Sequence, residues 1–390
     1  AFRITSTVPI VVYQFNNLTH GYSTDASLLL PTTSVGKKYR VIGWPVAHSF
    51  PAPGAFVQRA YVTIVGTVAG TEVTVKPNWR IRGNGPVPAT PAGGSLTLTL
   101  DAFDVLNLET DDATLSECLQ MDTAPYCADL TGTIVEASQP VVVFSGTEQS
   151  GVGLPYDAPK PPSWNEESSG CCNQHLEEQL LPIESFGKKF LITRSPLRSN
   201  PEFTWWEEPD VLRFVGVAAP AQVTTTLPAP FDSFTLQPGE VRETWTTQDI
   251  VVTSSEPIAV AQFLVGQGYV EPQPKGDPSF TIFPPVEQAR TEYVFLSPTG
   301  WKEHWVVVAT EAGTEILIDG ALATSCETQT IGELDGVSYE SRRCSLSAGA
   351  HRMSGSAPFQ IMAYGYATAD AYSFPGGANL KKIYEPPPIH

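Results

Sequence analysis

Six cysteines, two pairs of tryptophans and an acidic cluster beside a histidine are the residues of this chain whose types and spacing suit chemistry. The cysteines fall at Cys118, Cys127, Cys171, Cys172, Cys326 and Cys344. An even count clustered in loops fits disulfides made in an oxidising compartment better than free buried thiols. Cys326 and Cys344 flank one loop, so a bridge between them is the simplest reading. Two bridges can form among the other four, with the connectivity left open, although adjacent Cys171 and Cys172 rarely pair because the peptide between them is strained. No C-x2-C pair occurs, which argues against zinc.

Trp205 and Trp206, followed by Glu207-Glu208, and Trp301 with Trp305 are candidate binding aromatics, because aromatic faces give large contact area at small entropic cost. Alternate residues of a strand face the core, so one of Trp205 and Trp206 is expected inside. His175-Leu176-Glu177-Glu178 looks metal-like, yet His175–Leu181 reads as a short helix stopped by Pro182, with these groups on different sides of one turn. A solvated helix start is the expectation. Asp111-Asp112 and the stretch from Glu333 to Asp335 carry oxygen ligands, but no D-x-[DN]-x-[DN]-G calcium loop is present, and neither a metal nor a cofactor is expected. His20, His48, His304, His351 and His390 are dispersed. No G-x-S-x-G elbow, glycine-rich phosphate loop or H-E-x-x-H motif occurs. The chain therefore reads as non-catalytic; a glycan-processing enzyme, whose paired carboxylates converge only in three dimensions, is the remote alternative.

The elements that must position these residues recur. A polar stretch and a proline lead into an apolar run four times, at Thr7-Val8-Pro9, Ser138-Gln139-Pro140, Ser255-Glu256-Pro257 and Ser356-Ala357-Pro358. The prolines lie 131, 117 and 101 residues apart (140−9, 257−140, 358−257), the mark of a repeated unit. Pro31-x4-Gly36-Lys37-Lys38-Tyr39 is matched by Pro182-x4-Gly187-Lys188-Lys189-Phe190, and more weakly from Pro284, with Ala289 in the glycine position and Tyr293 one residue late. Gly70-Thr71-Glu72-Val73 recurs as Gly313-Thr314-Glu315-Ile316, and the middle copy has Pro220-Ala221-Gln222-Val223. The first proline-led copy, Val8, Pro9, Ile10, Val11, Val12 and Tyr13, precedes any unit body. It is the candidate strand-exchange segment, since a strand without a sheet must find an edge elsewhere.

Composition narrows the class. At 390 residues the chain suits two or three cores. Its 42% apolar content can build them, and no run approaches the roughly 18 apolar residues of a membrane span, so membrane insertion is not expected. Charged residues are only 16%, which with 31 Gly and 35 Pro suits many short strands joined by tight turns. A net charge of −18 argues against nucleic acid as a partner.

Val/Ile/Thr/Phe runs at Tyr61–Val65, Leu96–Leu100, Gln222–Leu227, Trp305–Val308 and Ile316–Ile318 make the chain all-β. Three tandem degenerate β-sandwich-like repeats plus an orphan N-terminal strand are expected, with a β-propeller-like closed arrangement as the alternative. The expected division is a terminal strand of an incomplete preceding repeat over 1–20, repeats over 21–150, 176–270 and 271–377, a Pro/Gly/Cys-rich linker over 151–175 and a Pro-rich tail over 378–390. Ala1-Phe2-Arg3-Ile4 enters directly into β-pattern, which reads as a removed leader or a fragment of something longer. Asn17-Leu18-Thr19 matches an N-glycosylation acceptor, a motif common by chance.

Val8 to Asn16, Asp25-Ala26-Ser27-Leu28-Leu29-Leu30-Pro31, His175-Leu176-Glu177-Glu178-Gln179 and Ser373-Phe374-Pro375-Gly376-Gly377 together resemble the IgGFc-binding protein N-terminal domain family, in particular its bacterial secreted members. The resemblance spans nearly the whole chain and implies an extracellular, β-rich, non-catalytic protein. It supports adhesion or matrix interaction through an extracellular protein or glycan partner. Immunoglobulin binding itself is not carried over, because no Fc-contact motif can be placed here. The second reading is a structural subunit of an extracellular fibre or sheath, built from copies of itself by strand addition.

Overall fold

Alternation of apolar and polar residues, as in Thr71–Lys76 with Thr71, Val73 and Val75 inside and Glu72 outside, turns most Val/Ile/Thr-rich runs into strands. In the computed structural model, which describes residues 1–16, 24–47, 58–112, 117, 126–154, 158–165 and 172–386, nearly all regular structure is β. No helix among the described residues is long and apolar enough to cross a membrane. The chain opens with a hairpin of β1 (Val12–Phe15) and β2 (Ala26–Leu29). There follow β3 (Lys38–Arg40), β4 (Val46–Ala47), β5 (Ala60–Gly66), β6 (Thr71–Lys76), β7 (Leu96–Leu100), β8 (Val105–Glu109), β9 (Tyr126–Cys127), β10 (Ile134–Ala137), β11 (Val141–Ser150) and β12 (Gln174–Gln179). These make two four-stranded sheets, β3-β10-β6-β7 and β12-β11-β5-β8, with β4 paired to β9.

After a 3-10 turn at Ile183–Ser185 come β13 (Gly187–Ile192), β14 (Asp210–Gly216), β15 (Ala221–Thr225), β16 (Ser233–Leu236), β17 (Val241–Thr246) and the long β18 (Ile250–Leu264). A second 3-10 turn, Gln267–Tyr269, leads to β19 (Ser279–Ile282), and a third, Val286–Gln288, to β20 (Arg290–Ser297). The chain continues through β21 (Glu303–Glu311), β22 (Ile316–Ile318), β23 (Ala321–Leu322), β24 (Glu327–Leu334), β25 (Val337–Leu346), β26 (Gly349–Ala367) and β27 (Asp370–Pro375). The all-β expectation holds. The expected helix does not: most of it lies in β12, where pairing with β11 overrides the helix propensity of Leu, Glu and Gln.

Three of the four proline-led runs, those at Pro140, Pro257 and Pro358, are corners, whereas the run at Pro9 is exposed ahead of β1, which pairs with β2 alone among the described residues. In β18, Ile250 to Ser254 pairs with β13 and β15, whereas Ile258 to Leu264 pairs with β14 and β19. β26 likewise pairs with β20 and β22 before Pro358 and with β21 and β27 after it. At Pro140 the break is complete, β10 serving β3 and β6, and β11 serving β5 and β12. Proline sits at the change of partners, where a ladder donor is dispensable.

The other sequence signatures converge on the same corner. Ser138, Ser255 and Ser356 Oγ accept the backbone N–H of Glu72, Gln222 and Glu315, the third residues of the second signature. Gly70 and Gly313 start that signature with φ of +69° and +82°, a conformation glycine adopts without strain. Lys37 and Lys188 Nζ donate to the carbonyls of Ser138 and Ser255. Tyr39 and Tyr293 hydroxyls donate to the carbonyls just after the corner prolines, Val141 and Phe359, and accept from Gly36 N and Arg290 N. That geometry corrects the third copy by one residue: Arg290, not Ala289, occupies the glycine position. The reason is steric. A Cβ on Gly36 would lie 2.5 Å from Pro182 Cβ, and one on Gly187 would lie 2.6 Å from Pro285 Cβ, because the next 3-10 turn rests there. Arg290 is exposed.

The strands that return, β12, β19 and β27 after the corners and β2 after β1, are largely buried. β2, β12, β19 and β27 pack side by side in a closed order, β2 against β12, β12 against β19, β19 against β27 and β27 against β2. Buried side chains join them. Asp25 accepts from Ala26 N and Ser279 Oγ on one carboxyl oxygen and from Glu177 N and Phe280 N on the other. Ser279 bonds Ser373 at 2.8 Å, and Ser27 Oγ donates to Glu178 at 2.6 Å while accepting from Gln179 N. Burial pushes the Asp25 and Glu178 carboxyls well above the usual range, and those of Asp277 and Asp370 up to about 7.

Two expectations follow. Gly36→Ala and Gly187→Ala should each cost about 1–3 kcal/mol through overpacking, while Arg290→Ala stays within about 0.5 kcal/mol. Urea unfolding measures all three, and equal costs would remove the steric account. For the buried acids, an unfolded carboxyl loses its proton near pH 4, whereas Asp277 and Asp370 hold theirs up to about 7. The folded chain binds more protons in that window, so their contribution is full below about pH 4 and is lost as pH rises through about 7. The thermal midpoint should be higher at pH 5 than at pH 8, and Asp370→Asn should shrink the difference. An unaltered difference in that variant would show that the acid response lies elsewhere.

Candidate functional site

Between β13 and β14 the chain runs through Pro196-Leu197-Arg198-Ser199-Asn200-Pro201, a loop whose two prolines prevent a regular element. Asn200 turns it: its side chain accepts from Glu202 N, and its carbonyl accepts from Phe203 N and Thr204 N. Two carboxylates pin the loop. Glu208, buried, accepts from Arg198 N at 2.5 Å and Ser199 N at 3.0 Å. Glu271 accepts from Thr204 Oγ1 at 2.9 Å and Ser163 N at 2.7 Å. Burial pushes the Glu271 carboxyl up, but those hydrogen bonds outweigh it and leave its pKa below the ordinary value.

The pinned loop splits the first tryptophan pair. Trp206 is buried and donates its indole N–H to the Tyr269 carbonyl at 2.7 Å. Trp205 points outward with 79% of its surface exposed, and Phe203, two residues earlier, is 72% exposed. The second pair is different. Trp301 is buried edge-on against Tyr372 and tilted to Phe15, and Trp305 is half-buried against the core. Trp301 thus sits within an aromatic cluster, where its burial is favourable, and Trp305 is less open than Trp205.

Beside the exposed aromatics is an open cleft of about 490 Å³ where the loop meets the ends of β21 and β26. Arg198, Asn200 and Phe203 come from the loop, Glu271 to Lys275 from the run before β19, Lys302 and Glu303 from the start of β21, and Tyr366 to Thr368 from the end of β26 and the residue after it. Lys275 pairs with Glu303 at 3.1 Å. Arg198 is buried to 3% exposure, its Nε 3.6 Å from Glu208 and its guanidinium carbon 5.8 Å from the Tyr366 ring centre. None of its three side-chain nitrogens has a hydrogen-bond partner among the described residues. Gly276, with φ of +69°, leaves room for it, since a Cβ there would lie 2.8 Å from Arg198 Cδ. Phe203 and Arg198 carry no motif; the Pro-rich loop was the sole sequence signal for them.

The remaining candidates are placed elsewhere. Cys326 and Cys344 are bridged, joining the start of β24 to β25 as expected. Cys127 and Cys172 are disulfide-bonded too, while Cys118, Cys171, His20, His48, His390 and the Asn17-Leu18-Thr19 acceptor lie outside the described residues. Of the candidate strand-exchange segment, Val8, Pro9, Ile10 and Val11 are exposed, whereas Val12 and Tyr13 belong to β1 and pair with Leu29 and Leu28. Tyr13 rests on Phe374 with ring centres 4.4 Å apart. His175 and Glu177 both reach the Tyr61 hydroxyl, at 3.1 and 2.7 Å. Asp111 and Asp112 sit against Arg80 and Arg59, and Asp335 against Lys189. Among the described residues, no three His, Cys, Asp or Glu side chains converge as metal ligands.

The arrangement offers recognition: two exposed aromatic faces, a cleft with charges of both signs, and a buried cation at its base. The carboxyls raised by burial, Asp25, Glu178, Asp210, Asp277 and Asp370, are not among the residues lining the cleft. Neither a curated protein nor a solved structure matches the sequence. The family model described as IgGFc binding protein matches residues 25–365, from the buried Asp25 to Gly365 near the end of β26. With most of its length covered by that match, the chain belongs to the IgGFc binding protein family.

Proposed function

We propose that this chain is an extracellular binding module that holds a protein partner at the cleft between β13–β14 and β21–β26, with Trp205 and Phe203 as its anchors. The observation that carries this reading is the exposure of two large aromatic side chains on a loop that Glu208 and Glu271 hold rigid. Rigid aromatic anchors give contact area without loss of loop entropy on binding. The family name, which specifies binding to a protein, supports the choice of partner, and the Cys326–Cys344 bridge supports an oxidising compartment. Adhesion or matrix interaction is the finer form of the proposal. We keep with it the division into units over 21–150, 176–270 and 271–377, the cleft lying where the second meets the third.

A second reading has its own observation. β11, β18 and β26 are paired on both edges, whereas among the described residues β1 pairs with β2 alone. A strand from another copy could add to that edge. Light scattering over a wide concentration range decides it, and a monomer throughout would end that reading.

For the main proposal, the purified chain is presented to immobilised immunoglobulin Fc and to a panel of extracellular matrix proteins in surface plasmon resonance. Loss of an anchor worth about 2 kcal/mol weakens binding roughly 30-fold. Trp205→Ala and Phe203→Ala should do so for any probe that binds the wild type. Unchanged affinity in both variants would exclude this surface.

A further inference from the structure

Arg198 is the least accounted-for charge in the molecule. Its side chain is fully enclosed, an ion-pair distance from Glu208 but without a hydrogen bond on any nitrogen, and it lines the base of the cleft. Buried charged groups are ordinarily satisfied by hydrogen bonds, and a guanidinium presents donors in a planar fork that matches a carboxylate. Tyr366 lies under the guanidinium and is itself held by a hydrogen bond to the Pro196 carbonyl at 3.0 Å. The fork is thus fixed in position before any ligand arrives.

The rest of the lining limits what can be seated. Arg198 has Glu208 at ion-pair distance and Lys275 is paired with Glu303, which leaves Lys302 against Glu271, so the charges at the cleft balance on a chain whose net charge is −18. A polyanion would meet the two glutamates and the overall field, whereas a single negative group would not. Phe203, Pro272 and Pro274 supply apolar walls suited to the methylene stem of an acidic side chain. We propose that Arg198 is the seat of one carboxylate, supplied by a Glu or Asp side chain of the protein partner. This rests on the cleft being the binding surface, and gives that surface its specificity.

The test compares N-acetylglutamate with its isosteric amide, N-acetylglutamine, by saturation-transfer NMR on the intact chain. The acid should bind at least about tenfold more tightly than the amide, and Arg198→Met should abolish the difference while Arg198→Lys keeps part of it. Equal binding of acid and amide by the wild type would overturn the proposal whether or not the variants fold. So would an acid preference that survives in a folded Arg198→Met protein. Glucuronate binding tenfold more tightly than N-acetylglutamate would replace the peptide carboxylate by a sugar acid and overturn the assignment of the partner. The two levels fail separately: protein probes that need Trp205 but show no acid preference remove only the carboxylate seat. An acid preference with no protein probe bound through Trp205 removes only the broader functional reading.

Discussion

A strand that belongs to two sheets must turn between them without leaving donors and acceptors unpaired, and the rest of this structure depends on how that turn is made. Proline removes one donor at the bend, and a serine two residues earlier takes the N–H of the neighbouring strand. A lysine or tyrosine from the first strand of the same segment caps the carbonyls that the bend exposes. Hydrogen bonds of this kind contribute only about 1 kcal/mol each, but an unsatisfied buried group costs more. The corner therefore selects residue types more strongly than the flat parts of the sheets do.

The returning strands β2, β12, β19 and β27 pack against one another. They cannot all extend one main-chain ladder, so side chains make the links, with Asp25 receiving four hydrogen bonds. Arginines join the periphery in the same manner: Arg213 reaches Gly43, Asp129 and Thr131, and Arg343 reaches Asp249 and the Arg194 carbonyl. Of these contacts, the bond from Arg343 to the Arg194 carbonyl, together with that from the Tyr366 hydroxyl to the Pro196 carbonyl, holds the loop of Arg198 beside β25 and β26, where the cleft lies.

Much of the architecture was legible in the sequence because it is written locally. The proline-led runs, the Gly-Lys-Lys-aromatic signature and the Gly-Thr-Glu signature were each visible. Their meeting at one corner was not, since it joins residues far apart along the chain. His175–Leu181 was misread because six residues of strong helix formers cannot announce a sheet partner more than twenty residues away. One of Trp205 and Trp206 is inside, but both sit on a loop, so the strand alternation from which that was expected is not its cause. Trp301 and Trp305 were not separable, because aromatic side chains look alike whether they face a core or a partner. Arg198 was invisible, since its significance lies in what fails to touch it.

The position that is glycine twice and arginine once has a consequence for rearranging this protein. Each of the first two segments presents a notch, at Gly36 and Gly187, that receives the following turn, and in the third the notch is filled by Arg290. The segments are therefore not interchangeable building blocks. A shuffled chain with the third segment placed ahead of another would bring a proline ring onto the arginine's Cβ, whereas the first two offer an open seat. The seat that Gly36 and Gly187 leave open is thus closed by a single side chain at Arg290, a difference between the corners that strand pattern alone does not impose.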